Sequence, residues 1–300
     1  MPVALARTTG LLVLAGLLAV AGTAFGAATI FVLADPDAAY PIERQVRYNV
    51  AVVNPESRPA EGVRLWVHAP VLQTSSQKCL RLETSQGGEL VADELGNQVL
   101  SFDLGTVPPR GKRIVSIRAD LGLADRPNPA PGVASAAFLG PEPGIEADHP
   151  EIVAAAGVLR AESAGETARG ISDWVGKHVR YAGYLEEDLG ALYALRHGKG
   201  DCTEYAFLFT ALARANGLPV RAMAGYLVNG DQVLRPTDFH NWAELYEEGR
   251  WVLVDPQEVR FGDGQSLYVA TRILGGVGDD PLGGNHRFRV EPEWLSVRME

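Results

Sequence analysis

The sequence predicts an α+β chain: an all-β sandwich, then a mixed helix-and-sheet unit, behind an N-terminal hydrophobic helix. Three observations carry this. Apolar residues alternate with period two from Gln45 to about Asp125, they recur at helical spacing beyond Pro150, and an uncharged run from Thr8 to Ala34 opens the chain. A length of 300 residues accommodates two ordinary domains. With 46% hydrophobic and 21% charged residues, a packed core is expected rather than disorder. The predicted division is 1–36 as membrane anchor or signal segment, 40–125 as sandwich, 126–149 as linker and 150–300 as catalytic unit.

The N-terminal run follows Arg7, is rich in Leu, Ala, Val and Gly, and ends at Asp35-Pro36-Asp37. At about 27 residues it exceeds the roughly 20 needed to span a bilayer. A cleaved signal is the alternative, because the small residues around Thr23–Ala28 suit a cleavage site. Either reading exports the chain from Tyr40 onward: membrane-anchored in the cell envelope in one case, secreted in the other.

In the first folded part, Val46, Tyr48, Val50 and Val52 share one face of a strand that Asn54-Pro55 closes. Val63, Leu65 and Val67 repeat the pattern, as do Leu80 with Leu82, Leu100 with Phe102 and Leu104, and Val115 with Ile117. Turn residues at Gln86-Gly87-Gly88, Gly96-Asn97 and Pro108–Gly111 separate them. Short strands at this spacing make a small antiparallel sandwich, read as a packing module or a substrate-binding one. Cys79 beside Leu80 is expected to be a small, buried or half-buried and inert residue.

Arg126 to Pro150 holds six prolines and marks the boundary. Pro150 then suits a first helical turn, and a second helix is expected from about Ala164 to His178, with Ala168, Ile171 and Val175 on one side. In Gly200-Asp201-Cys202-Thr203-Glu204, Asp201 with Glu204 three residues later reads as a capping box opening a helix that runs to Asn216 and stops at Gly217-Leu218-Pro219. Cys202 falls at the first helical position, among free backbone N–H groups. A helix terminus supplies roughly 0.3–1 kcal/mol, too little to ionise a thiol whose ordinary pKa is about 8.5. A base is required.

His240 to Tyr246 and Trp251 to Asp255 supply one, as two strands around a Gly-containing turn. With Glu247 facing Arg250, Tyr246 faces Trp251 and Trp242 faces Asp255, so His240 and Asp255 become diagonal neighbours on one face. A one-residue change in the turn would separate them. His240 would then take the proton of Cys202 and Asp255 would orient the imidazole. The Cys202 N–H is the natural oxyanion donor; the second is unassigned, with Tyr181 and Trp242 as guesses. His178 and His197 are read as ordinary structural residues.

No Lys/Arg stripe accompanies the net charge of −10, so nucleic acid is not expected as a partner. Two distant cysteines without clustered Cys/His spacing require no zinc, and no acidic loop has calcium-ligand spacing, so no cofactor or metal is predicted.

Gly200-Asp201-Cys202 with Glu204, Ala206 and Phe209 resembles the nucleophile helix of the transglutaminase-like superfamily. Gly217-Leu218-Pro219-Val220-Arg221, then Gly225-Tyr226, resembles the segment after it. His240, Trp242, Glu244, Tyr246, Gly249, Trp251, Asp255 and Pro256 resemble the family's His and Asp motifs in order. The resemblance covers about Trp174 to Pro256, and the β region is weakly similar to the Ig-like modules beside such domains. It implies a papain-like α+β fold and a Cys202–His240–Asp255 triad acting on peptide or side-chain amides through a thioester. The family includes peptidases, deamidases, crosslinkers and catalytically silent scaffolds, so an envelope binding or assembly module is the alternative.

Overall fold

The computed structural model describes residues 30–31, 39–130, 135–275, 282 and 287–300. In chain order its strands begin with β1 (Ile30–Phe31), β2 (Ile42–Val53), β3 (Ala60–Ala69), β4 (Gln77–Thr84), β5 (Glu89–Ala92), β6 (Gln98–Val107) and β7 (Lys112–Leu123). Helices α1 (Pro150–Val158) and α2 (Ala164–His178) follow, then β8 (Arg180–Tyr181), α3 (Ala191–His197), β9 (Lys199–Gly200) and α4 (Cys202–Ala215). The chain continues with β10 (Val220–Leu227), β11 (Gln232–Val233), β12 (Phe239–Glu247), β13 (Arg250–Asp255), β14 (Arg260–Phe261) and β15 (Tyr268–Ile273). It closes with β16 (Phe288–Glu291) and β17 (Ser296–Met299).

The alternating region is a sandwich. One sheet runs β1-β4-β7-β2-β11, with β17 also on β2, and the other runs β16-β3-β6-β5. Val46, Tyr48, Val50 and Val52 of β2 face Val63, Leu65 and Val67 of β3 in one core, all nearly inaccessible. This follows from period two: each strand turns one row of branched side chains inward. Cys79 lies in that core, and burial pushes its thiol up to about 11.

The C-terminal strands lie elsewhere than the expected division places them, and the expected N-terminal helix falls outside the described residues. The last strands of the segment predicted as 150–300 belong to the sandwich: β16 pairs with β3, and β17 with β2. Their apolar residues Val290, Leu295 and Met299 join its core, which is where a strand with one apolar face gains burial. Of the N-terminal apolar run only Ile30–Phe31 are described, and they pair as a strand with Leu82 and Arg81. The predicted helix at 1–36 otherwise lies outside the described residues. Among those residues, no helix is long and apolar enough to cross a membrane.

The second part is built on a sheet ordered β14-β13-β12-β10-β15. Helix α4 lies between this sheet and the helices α1, α2 and α3, so every residue from Thr203 to Arg214 is buried. Phe209, Leu208 and Leu212 carry its packing, each stabilising by roughly 1.5–3 kcal/mol. Buried Arg214 donates to the carbonyls of Val220 and Gly140 and to Glu142, tying the connecting segment to the helix. The connecting segment is thereby tied to the helix at Gly140 and Glu142. Helix α2 meets the sheet closely at Gly176, where a Cβ would stand 2.8 Å from the Pro256 carbonyl.

Candidate active site

Helix α4 begins as its sequence dictates. Asp201 is the N-cap, its Oδ1 accepting from the Thr203 N–H at 2.8 Å, while Glu204 Oε2 accepts from the Asp201 N–H at 3.0 Å. Both carboxylates reach further than a capping box requires. Asp201 Oδ2 accepts from the Leu185 N–H and Glu204 Oε1 from the Leu189 N–H, so the acidic loop after β8 is fixed to the same turn. Gly200 is needed here, because a Cβ would lie 2.3 Å from that of Glu204. Cys202 is thereby held half-buried at the first helical position, with a free thiol and an N–H that has no intrahelical acceptor.

The hairpin has the expected register, with Glu247 opposite Arg250, Tyr246 opposite Trp251 and Ala243 opposite Val254. Glu248 and Gly249 both take positive φ at the turn, as a two-residue hairpin loop demands. His240 and Asp255 accordingly converge, with Nε2 of the imidazole 2.6 Å from Oδ2. Cys202 is the second hydrogen-bond partner acting on the His240 imidazole. Burial pulls the imidazole pKa down, but the bonds to Asp255 and Cys202 outweigh it and raise the value to about 10. The ring is thus set to hold a proton beside the sulfur. The other carboxylate oxygen, Asp255 Oδ1, accepts from the N–H groups of Gln257 and Glu258.

The three residues singled out in the sequence are brought together. The two guesses for a second oxyanion donor fare differently. Tyr181 lies exposed near Cys202, its phenol raised by partial desolvation and then by the Cys202 and Asp201 charges. Trp242 is buried, lining one small cavity with Thr74, Gln77, Gln265 and Tyr268, and its Nε1 meets no acceptor among the described residues. His178 donates from Nε2 to the Leu195 carbonyl and stacks on Trp174, an ordinary structural role. Among the described residues no group of His, Cys, Asp and Glu is arranged to hold a metal.

Sequence reasoning missed two contacts. Asn241 Oδ1 accepts from the Cys202 thiol at 3.6 Å. Simple alternation places Asn241 on the strand face opposite His240, and nothing local flags it. Tyr268 of β15 donates its phenol to Asp255 Oδ2 at 2.8 Å. Only the long-range pairing of β15 beside β10 brings it there. That pairing carries a bulge at Gly225, opposite His240, where a Cβ would fall 2.0 Å from the Val269 carbonyl.

A helix-borne cysteine set against an antiparallel sheet bearing His and Asp defines a cysteine-protease-like α+β architecture. Comparison with known proteins specifies it: residues 153–256 match the model of the transglutaminase-like superfamily, and this part of the chain is a transglutaminase-like domain. A "putative cysteine protease" from Cytophaga hutchinsonii shares the fold at 18% identity and a TM-score of 0.61, over 86% of this chain and 92% of that one. At that coverage the likeness takes in the sandwich as well as the matched domain. The periplasmic domain of TgpA from Pseudomonas aeruginosa is similar at 17% identity and a TM-score of 0.36, over 70% of this chain and 86% of that one. Among curated proteins, none matches this sequence.

Proposed function

We propose that the chain is an exported cysteine-nucleophile enzyme that acts on peptide or side-chain amide bonds of a protein or peptide substrate, with Cys202, His240 and Asp255 as its triad. The observation that supports this most is the buried His240–Asp255 bond of 2.6 Å beside a free thiol at a helix start. His240 takes the Cys202 proton, and the resulting thiolate is stabilised by the imidazolium and the helix terminus. The sulfur attacks the amide carbon, and negative charge develops on the oxygen, towards the Cys202 N–H. His240 then protonates the departing amine as the C–N bond breaks, leaving a thioester. Water, deprotonated by His240, attacks that thioester and releases the acid and the thiol. An amine in place of water would give acyl transfer. Hydrolysis is the simpler route, since it needs no second substrate site.

Export rests on the N-terminal apolar run, as an anchor in the cell envelope or a cleaved signal. The sandwich, the connecting segment and the transglutaminase-like domain are read as one enzyme body, with no nucleic acid partner. The test is limiting alkylation of the full chain with iodoacetamide over about pH 5–9, a range that brackets the ordinary thiol pKa. Mass spectrometry locates the adduct, with a His240→Ala protein alongside. Labelling of Cys202 on the acidic side of neutral, lost without His240, is the expected result. Labelling that rises only near the ordinary thiol pKa in both proteins would refute the enzyme and favour a binding module.

A further inference from the structure

We propose that Tyr268 is a positioning residue for the Cys202–His240–Asp255 group, acting through Asp255 by holding the Oδ2 lone pair that His240 does not use. The inference rests on the triad reading and deepens it. Asp255 is 1% exposed, and its carboxylate accepts four hydrogen bonds. Two come to Oδ1 from backbone N–H groups of its own turn, and two come to Oδ2, from His240 and Tyr268. The backbone pair fixes the plane of the carboxylate. The phenol fixes where Oδ2 sits, because a donor on its second lone pair holds that oxygen in line with the imidazole N–H.

Tyr268 is well placed for this role. Its ring packs edge-on against Trp242 at 5.1 Å, and its side chain is buried. Its strand is fixed from the sandwich side. Gln77 donates to the Ala270 carbonyl and accepts from the Ala270 N–H, while Asn97 exchanges hydrogen bonds with Ile273 in the same way. Ser266, just before the strand, donates to Asp125. The sandwich thus holds β15 at both ends, and β15 holds the phenol on Asp255. The titratable groups around Asp255 are His240 on β12, Tyr268 on β15, Arg260 on β14 and Glu258 in the following turn, with Cys202 beyond the imidazole.

The experiment is a double-mutant cycle on the full-length chain in mild detergent. It compares the wild type, Tyr268→Phe, Asp255→Asn and the double variant. The readout is the pH profile of Cys202 alkylation by iodoacetamide. Tyr268→Phe keeps the ring and its packing and removes one donor. The carboxylate is then free to turn about its Cβ, the imidazolium is held less well, and the acid limb moves to higher pH by about one unit, a roughly tenfold slower labelling on that limb. In the Asp255→Asn background the same change moves the limb by less than about twofold in rate, because the carboxylate it acts through is gone. Site-specific 3-fluorotyrosine at position 268 is a stronger donor of the same shape and moves the limb the opposite way. A limb unmoved by Tyr268→Phe, or moved equally with and without the Asp255 carboxylate, overturns the proposal. A wild-type profile with only an ordinary thiol pKa overturns the triad reading itself, and the role of Tyr268 with it.

Discussion

Gly225 joins the fold to the site, and its replacement by alanine tests how tightly the two are coupled. The residue pairs with His240 across β12 and with Ala270 across β15, at the bulge between those ladders. An added methyl group would sit 2.0 Å from the Val269 carbonyl oxygen and 2.9 Å from Trp242 Cη2. A carbon–oxygen contact needs more than 3 Å, so β15 must move by about 1 Å or its ladder must part locally. Overpacking a rigid interior costs about 1–3 kcal/mol, and the clash here is with backbone, which has no rotamer to escape into. Two ladder hydrogen bonds at about 1 kcal/mol each are put at risk as well. The expected loss is about 3–5 kcal/mol. At roughly 2 °C per kcal/mol for a chain of this size, Gly225→Ala lowers the Tm by about 6–10 °C. The same displacement draws Tyr268 off Asp255, so labelling of Cys202 below neutral pH should fall too. The control is Gly170→Ala, on the exposed face of α2 with nothing within 4 Å. There the substitution stabilises by about 0.5–1 kcal/mol, the difference in helix propensity. Thermal melts followed by circular dichroism read both. A Gly225→Ala protein melting with the wild type would refute the close approach of β15 and the coupling built on it.

Other outcomes are expected from the same structure. The imidazole of His240 is raised to about 10, so its charge contributes stability that is complete below the unfolded value of about 6.5 and lost as pH rises through about 10. The difference in Tm between the wild type and His240→Gln should therefore shrink from pH 7 to pH 10; a constant difference would contradict the charged pair. Cys79, its thiol raised to about 11 by burial, should resist iodoacetamide in the native protein and react only after denaturation. Native labelling at Cys79 would mean that the sandwich opens. Arg221 and Glu244 form a buried pair, Nε and Nη2 both donating to Oε2, with the guanidinium 4.3 Å over Trp251. Glu244→Gln leaves that cation without its counter-charge at a cost of about 3–5 kcal/mol, measurable as a lower urea midpoint. An unchanged midpoint would show that water reaches the pair.

What the sequence reveals and what it hides divide along the range of the interactions. The capping box at Asp201 and Glu204, the hairpin register at Glu247 and Arg250, and the inward row on β2 are local patterns with periods of two or 3.6 residues. Each is legible because a one-residue error would bury charge or expose the core. The convergence of His240 and Asp255 follows from that register alone, 15 residues apart across one turn. Tyr268 and Asn241 are not legible in this way. Tyr268 reaches Asp255 only because β15 lies beside β10, and no period in residues 268–273 specifies that neighbour. The C-terminal strands are hidden for the same reason: β16 and β17 pair with β3 and β2, more than 200 residues earlier. A short strand with one apolar face announces that it will be buried, but not against what. The returns of β11, β16 and β17 to the sandwich bind the first and last parts of the chain into one body. The sandwich thereby becomes the outer wall against which β15, and through it Asp255, is held. A spacer would need none of the hydrogen bonds from Gln77, Asn97 and Asp125. Their presence on, and just before, the strand that carries Tyr268 ties the β part of the chain to Asp255.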